Sequence, residues 1–280
     1  MIKYNSDFEN KYIYNLGLAY YKLGSTGGVY IKPLESSITH LQKYIRLTDK
    51  NENAKLTLAD AYFYRDIAKM NSFNKDLEIA EKEFDKVSKL AVDDPEFIDK
   101  KNILEETLQK KYNSNFFDKS LSTLEQIKTG KYNPEVHYSI GNIYFKKGNM
   151  YHKGFYEHYK SMNSEKSYVR DKAFSYYQKA IDEYKKYISL KPNNDGYVYH
   201  DIGVAYYDSS KLEPNRLNLP ITPETKGDYE RYGTKFYKRD MIDKSIKNFE
   251  VYLSKQPNAS NSRKIRGLIS ELSLLRINLW

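Results

Sequence analysis

Tyr14-Asn15-Leu16-Gly17-Leu18-Ala19-Tyr20-Tyr21-Lys22-Leu23-Gly24 returns later in the chain as Tyr138-Ser139-Ile140-Gly141-Asn142-Ile143-Tyr144-Phe145-Lys146-Lys147-Gly148. A third copy reads His200-Asp201-Ile202-Gly203-Val204-Ala205-Tyr206-Tyr207. A fourth, Leu56-Thr57-Leu58-Ala59-Asp60-Ala61-Tyr62-Phe63-Tyr64, has alanine in place of glycine. Each copy sets an apolar residue before a small one and an aromatic ring three positions after it. Positions three apart share one face of a helix, and a small residue on that face lets a second helix approach closely.

A second pattern follows each copy. Ala180-Ile181, Tyr184, Tyr187, Leu190 and Pro192 form an amphipathic helix stopped by proline, and Ser245-Ile246, Phe249, Tyr252 and Pro257 repeat it. Ser37-Ile38, Leu41 and Tyr44, and Ala80, Phe84 and Val87, match without the proline. Together these patterns resemble the tetratricopeptide (TPR) repeat, a 34-residue helix–turn–helix unit. The likeness is strong in units starting near Tyr12, Asn53, Pro134 and Tyr197. It is weak near Pro95, where Asn102 stands at the small position and the pair Phe97, Ile98, Leu104, Leu108 with Leu121, Leu124, Ile127 rests on periodicity alone.

The resemblance implies an all-α, right-handed α-solenoid of TPR-like hairpins with a C-terminal capping helix. The expected array covers residues 6–259 in about five helix pairs, and the cap covers 260–280. In the family pattern the glycine of the first helix and the alanine of the second lie 12 residues apart. Here Gly17 and Ser37 are 20 apart, Ala59 and Ala80 21, Asn102 and Ser120 18, Gly141 and Ala180 39, and Gly203 and Ser245 42. The surplus falls between the two helices of each pair, which predicts insertions along one edge, the longest near 149–172 and 209–242. Gly24-Ser25-Thr26-Gly27-Gly28 and Met70-Asn71-Ser72-Phe73-Asn74 read as turns. Tyr151, Phe155, Tyr156 and Tyr159 lie at helical spacing before a break at Asn163-Ser164, and a long second helix is expected from Glu165 through Tyr168, Ala173, Tyr177 and Tyr184. The last insertion carries Pro214 and Pro220, then Thr222 as N-cap, Pro223 and Glu224, then Tyr229, Tyr232, Phe236 and Tyr237.

Composition agrees with a thin helical fold. The 280 residues include 29 tyrosines, against 12 phenylalanines and one tryptophan. Tyrosine buries a ring while keeping its hydroxyl wet, which suits a core lying near solvent everywhere. Absence of cysteine excludes disulfides and thiolate chemistry. The mean hydropathy of −0.80 and the lack of a long apolar run predict no membrane span. Ser6 and Glu9 form a capping box close to the first residue, and nothing before it reads as a leader. The compartment is left open by the sequence: cytoplasmic, or periplasmic if the chain is truncated. The net charge of +9 is dispersed: residues 51–100 carry −4 and residues 101–200 carry +6. Nucleic-acid binders concentrate such charge in one stripe, so this pattern disfavours nucleic acid.

Signals for chemistry are weak. His40, His137, His152, His158 and His200 form no HExxH pattern, and His152 and His158, six apart beside Glu157, are poorly placed for one metal. No phosphate-binding glycine loop is present. Asn258-Ala259-Ser260 matches a glycosylation acceptor, a triplet that arises often by chance. The reading is no enzyme, no cofactor and no metal.

By resemblance to TPR domains, the groove-facing slots hold Tyr14, Leu18, Tyr21 and Lys22; Leu56, Asp60, Phe63 and Tyr64; Tyr138, Asn142, Phe145 and Lys146; and His200, Val204, Tyr207 and Asp208. Rings dominate, with Asn142 available to bond a peptide backbone. The two-carboxylate clamp of chaperone-tail grooves is not matched, because Tyr14 and Leu18 stand where it needs lysine and asparagine. The implied function is a non-catalytic scaffold or adaptor that binds a protein or peptide through an aromatic concave groove and the inserted edge. A structural subunit of a bacterial envelope or motility assembly, and an RNA-binding helical repeat, are the alternatives. Ile265, Leu268, Ile269, Leu272, Leu275 and Leu279 give the last helix a continuous apolar stripe ending at Trp280, a surface for the preceding repeat and for self-association.

Overall fold

The structure, a computed structural model, describes residues 6–26, 28–48, 51–112, 114–128, 133–152, 166–212 and 233–279. Among them every regular element is an α-helix, ten in number, with no strand. Contacts divide the chain into two units, Met1–Lys131 and Tyr132–Trp280. Among the described residues no helix is long and apolar enough to cross a membrane.

In the first unit, helix α1 (Ser6–Ser25) is followed by α2 (Ile31–Thr48). The two pack at a narrow seam. A Cβ on Gly17 would meet Leu41 at 3.0 Å, and one on Gly24 would meet Leu34 at 2.6 Å. Leu34 and Leu41 are fully buried there. Ser37, also fully buried, donates its hydroxyl proton to the Gly17 carbonyl at 2.9 Å. The helix begins at Ser6, whose side chain, and with it the expected capping box, lies outside the described residues.

Helix α3 (Glu52–Val87) departs from the expected hairpin. Asn51 caps its start by accepting the Ala54 N–H at 3.0 Å, and the helix then runs for 36 residues. The turn expected at residues 70–74 does not form. The stretch holds no glycine or proline, and Asn or Ser inside a helix costs only about 0.5 kcal/mol. Ala80 therefore cannot fold back onto Ala59. That role passes to α5 (Asp118–Lys128): buried Ser120 donates to the Ala59 carbonyl at 2.8 Å, repeating the Ser37–Gly17 bond. The far half of α3 forms its own hairpin with α4 (Pro95–Tyr112), where Phe84 and Phe97 stand 5.5 Å apart. The pair expected near Pro95 is corrected accordingly. Asn102 is exposed, and α4 and α5 both pack on α3, α5 against its first half. The insertion between the two paired helices is thus an entire helical hairpin.

In the second unit, α6 (Pro134–Tyr151) packs on α7 (Lys166–Leu190), α7 on α8 (Tyr197–Ser210), α8 on α9 (Thr234–Lys255) and α9 on α10 (Ser262–Ile277). The long second helix is present from Lys166. Phe155, Tyr156 and Tyr159, and the loop and cap proposed at Pro214, Pro220, Thr222, Pro223, Glu224, Tyr229 and Tyr232, lie outside the described residues. The seam recurs with rings in place of leucines. Cβ atoms on Gly141 and Gly148 would strike Tyr184 at 2.5 Å and Tyr177 at 2.6 Å, and one on Gly203 would strike Phe249 at 2.6 Å. Ser245 donates to the Gly203 carbonyl at 2.8 Å. At the end, Ile265 and Leu272 are buried against the Ile246, Phe249 and Tyr252 cluster, whereas Leu274 and Ile277 are 64% exposed.

The seam sets a testable contrast between two glycines. Gly141→Ala drives a methyl into a fully buried ring and should destabilise the protein by about 2 kcal/mol in urea titrations. Gly267→Ala in α10, where nothing lies within 4 Å, should stabilise it by about 0.5–1 kcal/mol.

Candidate functional site

All ten residues singled out from the sequence (Tyr14, Leu18, Tyr21, Phe63, Tyr64, Tyr138, Asn142, Phe145, His200 and Tyr207) are half-buried. They lie on the first helices of the pairs, α1 and α3 in one unit, α6 and α8 in the other.

In the second unit the internal hydroxyl bonds decide what remains free. Tyr184 covers Gly141, and its hydroxyl donates to Asn142 Oδ1 at 2.8 Å. Seven residues along, Tyr177 covers Gly148 and donates to Asn149 Oδ1 at 2.9 Å. A Gly-Asn dipeptide thus seats one tyrosine twice, the glycine under the ring and the asparagine under the hydroxyl. Asn142 Oδ1 is therefore engaged in holding α7. The signal was present in the sequence as two Gly-Asn steps facing two tyrosines at the same seven-residue spacing.

Tyr138 donates to Asp201 Oδ2 at 2.7 Å, tying α6 to α8, and its ring lies 5.3 Å from Tyr187. Burial first, then the charge of Asp201, pushes its hydroxyl well above the ordinary tyrosine range. The His200 ring lies 5.3 Å from that of Tyr252, tilted by 59°, and places Nδ1 3.1 Å from Asp201 Oδ1. His137 is 2.6 Å from the buried Glu183, which also accepts from Lys186 at 2.8 Å. Phe145 packs 5.8 Å from Tyr177, and Lys211 sits 3.7 Å over the ring of Tyr207. His152 is buried, 3.1 Å from the Tyr177 hydroxyl, while His158 lies outside the described residues. Among the described residues no group of three His, Asp or Glu side chains could hold a metal ion.

In the first unit, Tyr14 lies against Tyr44 at 4.9 Å and Phe63 against Phe117 at 5.4 Å. Tyr21 from α1 and Tyr64 from α3 approach to 6.1 Å. Asp60, one turn before Tyr64, is half-buried beside them. Burial pushes its carboxyl up to about 7; burial first, and then the charge of Asp60, raises both tyrosine hydroxyls. Asp66, two turns further, is handled differently. It accepts from Arg65 Nη2 at 2.6 Å and from the Phe117 N–H at 2.8 Å, pinning the chain at the left-handed Phe117 (φ 70°) where α5 begins. No local pattern marks this anchor, because its partner is 51 positions away.

The chain matches no protein-family model and none of the curated proteins with which it was compared.

Because folding raises the Asp60 carboxyl from the ordinary value near 4, the folded state prefers the protonated form. The associated stability is present below about pH 4 and is lost as pH rises to about 7. Asp60→Asn should remove that slope. The variant should exceed the parent by on the order of 2–4 kcal/mol at pH 8 and match it at pH 4, read by urea unfolding at both values.

Proposed function

We propose that this chain is a non-catalytic protein–protein interaction scaffold of the tetratricopeptide type, its hairpins stacked as a right-handed solenoid, with the aromatic faces of the first helices receiving a partner peptide. One observation carries the reading: the same seam is built four times. A small residue on the first helix (Gly17, Ala59, Gly141, Gly203) meets a serine or a bulky side chain of the second. Repetition of one hairpin is how solenoids are made, and their exposed first-helix surfaces are the usual docking face. The half-buried rings there offer large contact area at low entropic cost, with hydroxyls for backbone groups.

The long hairpin between Ala59 and Ser120 supports a second element of the proposal, a decorated edge. Ile79, Ile98 and Ile103 on its two helices are more than 40% exposed. Such residues add contact area beside the groove.

Site-specific photo-crosslinking tests the assignment of faces. A benzophenone side chain at Leu18, Tyr64 or Lys146 on the first helices should capture one common partner in the native cells. The same group at exposed Lys43, Lys185 or Lys247 on the second helices should not. Equal capture from both sets contradicts the groove. Tyr64→Ala should weaken binding of the captured partner about tenfold or more, as expected for a central aromatic anchor.

A further inference from the structure

Among the described residues the buried carboxylates Asp66, Glu183 and Asp208 are each paired with a cation. Asp66 is paired with Arg65 at 2.6 Å, Glu183 with Lys186 at 2.8 Å and Asp208 with Lys211 at 3.2 Å. Asp60 is half-buried between α1 and α3, yet among the described residues it has no hydrogen bond and no ion pair. The nearest arginine along its own helix, Arg65, is engaged by Asp66. A carboxylate in such a place ordinarily has a partner, because leaving it desolvated and unmatched is costly.

What stands around Asp60 is aromatic. Tyr21 faces it from α1 and Tyr64 from the next turn of α3, their ring centroids 6.1 Å apart and their planes inclined at 55°. Asp60 acts electrostatically on both hydroxyls, while its own shift is due to burial. Among the described residues no cation from α1, α2, α4 or α5 offsets the effect of its burial, and no second carboxylate adds to it. Aromatic faces attract cations, and more strongly where water is partly excluded. A carboxylate flanked by two such rings has the composition of a receptor for an organic cation. All three side chains keep part of their surface open to solvent, so a group presented from outside can reach them.

We propose that Asp60, Tyr21 and Tyr64 form a receptor for one cationic side chain, an ammonium or guanidinium group, presented by the partner. The inference rests on the groove reading for its biological source, but the site itself is defined by its cation chemistry. The incoming charge supplies the counter-ion that the described residues do not, and the rings close over its apolar stem. Empty, the site costs stability at neutral pH; filled, it does not. Binding is thereby tied to the ionised form of Asp60, since an adjacent positive charge favours ionisation.

The test uses the whole chain, with the Asp60 side-chain carbonyl carbon followed by NMR as pH is varied. The probes are N-acetyl-arginine amide and N-acetyl-lysine amide, with uncharged N-acetyl-citrulline amide and potassium chloride as controls at matched concentration and ionic strength. A cation that binds only the ionised carboxylate lowers its midpoint by about one pH unit at ten times its dissociation constant. The Tyr21 and Tyr64 ring resonances should move with the same saturation curve. Asp60→Asn should abolish the response while leaving the amide spectrum folded, and Tyr64→Leu should weaken it several-fold without removing the Asp60 titration. A midpoint that neither cation lowers beyond the citrulline and salt controls overturns the site, as does undiminished binding in Asp60→Asn. If a probe binds but crosslinking finds no partner on the first-helix face, the cation site stands and the scaffold reading fails.

Discussion

Three of the paired hairpins, α1–α2, α6–α7 and α8–α9, depend on a missing side chain. Where Gly17, Gly24, Gly141, Gly148 and Gly203 lie, a single added carbon would overlap a buried Leu, Tyr or Phe of the opposing helix. Closely packed interiors do not absorb such an overlap without distortion. Close approach also brings the second helix within hydrogen-bond reach of the first helix's backbone. That is why Ser37, Ser120 and Ser245 all find a carbonyl at 2.8–2.9 Å. Packing and polar satisfaction are thus two results of one constraint, and the remaining geometry follows from where along the chain the opposing helix is found.

That last point separates what the sequence disclosed from what it concealed. The small-residue positions, the long second helix from about residue 165 and the apolar stripe of α10 are local patterns, written within one or two helical turns. The partner of Ala59 is not local. Ala80, 21 residues on, is nearer the family spacing than Ser120, 61 residues on, yet Ser120 makes the bond because residues 52–87 contain nothing that stops a helix. Asparagine and serine at 71, 72 and 74 resemble turn residues, but in helical surroundings their preference is too weak to break one. The anchor between Asp66 and the Phe117 N–H belongs to the same non-local geometry.

Tyrosine abundance has a physical explanation in the second unit. Tyr177, Tyr184, Tyr237 and Tyr252 are buried almost completely, and each hydroxyl has a partner: Asn149, Asn142, the Ser209 carbonyl and Asn261. Phenylalanine would fill the same space but leave those acceptors unmatched. The network also narrows the functional question, because Asn142, Tyr138 and His137 already have internal partners. Asp60 stands out against that background. Its face was legible from the repeat register, but its isolation became visible only once the partners of Asp66, Glu183 and Asp208 were known.

The most direct test of the account is a set of nuclear Overhauser contacts to the Ala59 methyl group in protein labelled at methyl and aromatic positions. If α5 is the helix that closes on the small residue of α3, Ala59 shows contacts to Ser120 and none to Phe84, while Phe84 contacts Phe97. Contacts from Ala59 to Ala80 or Phe84 would mean that α3 folds back on itself within the unit, and the pairing described here would be wrong.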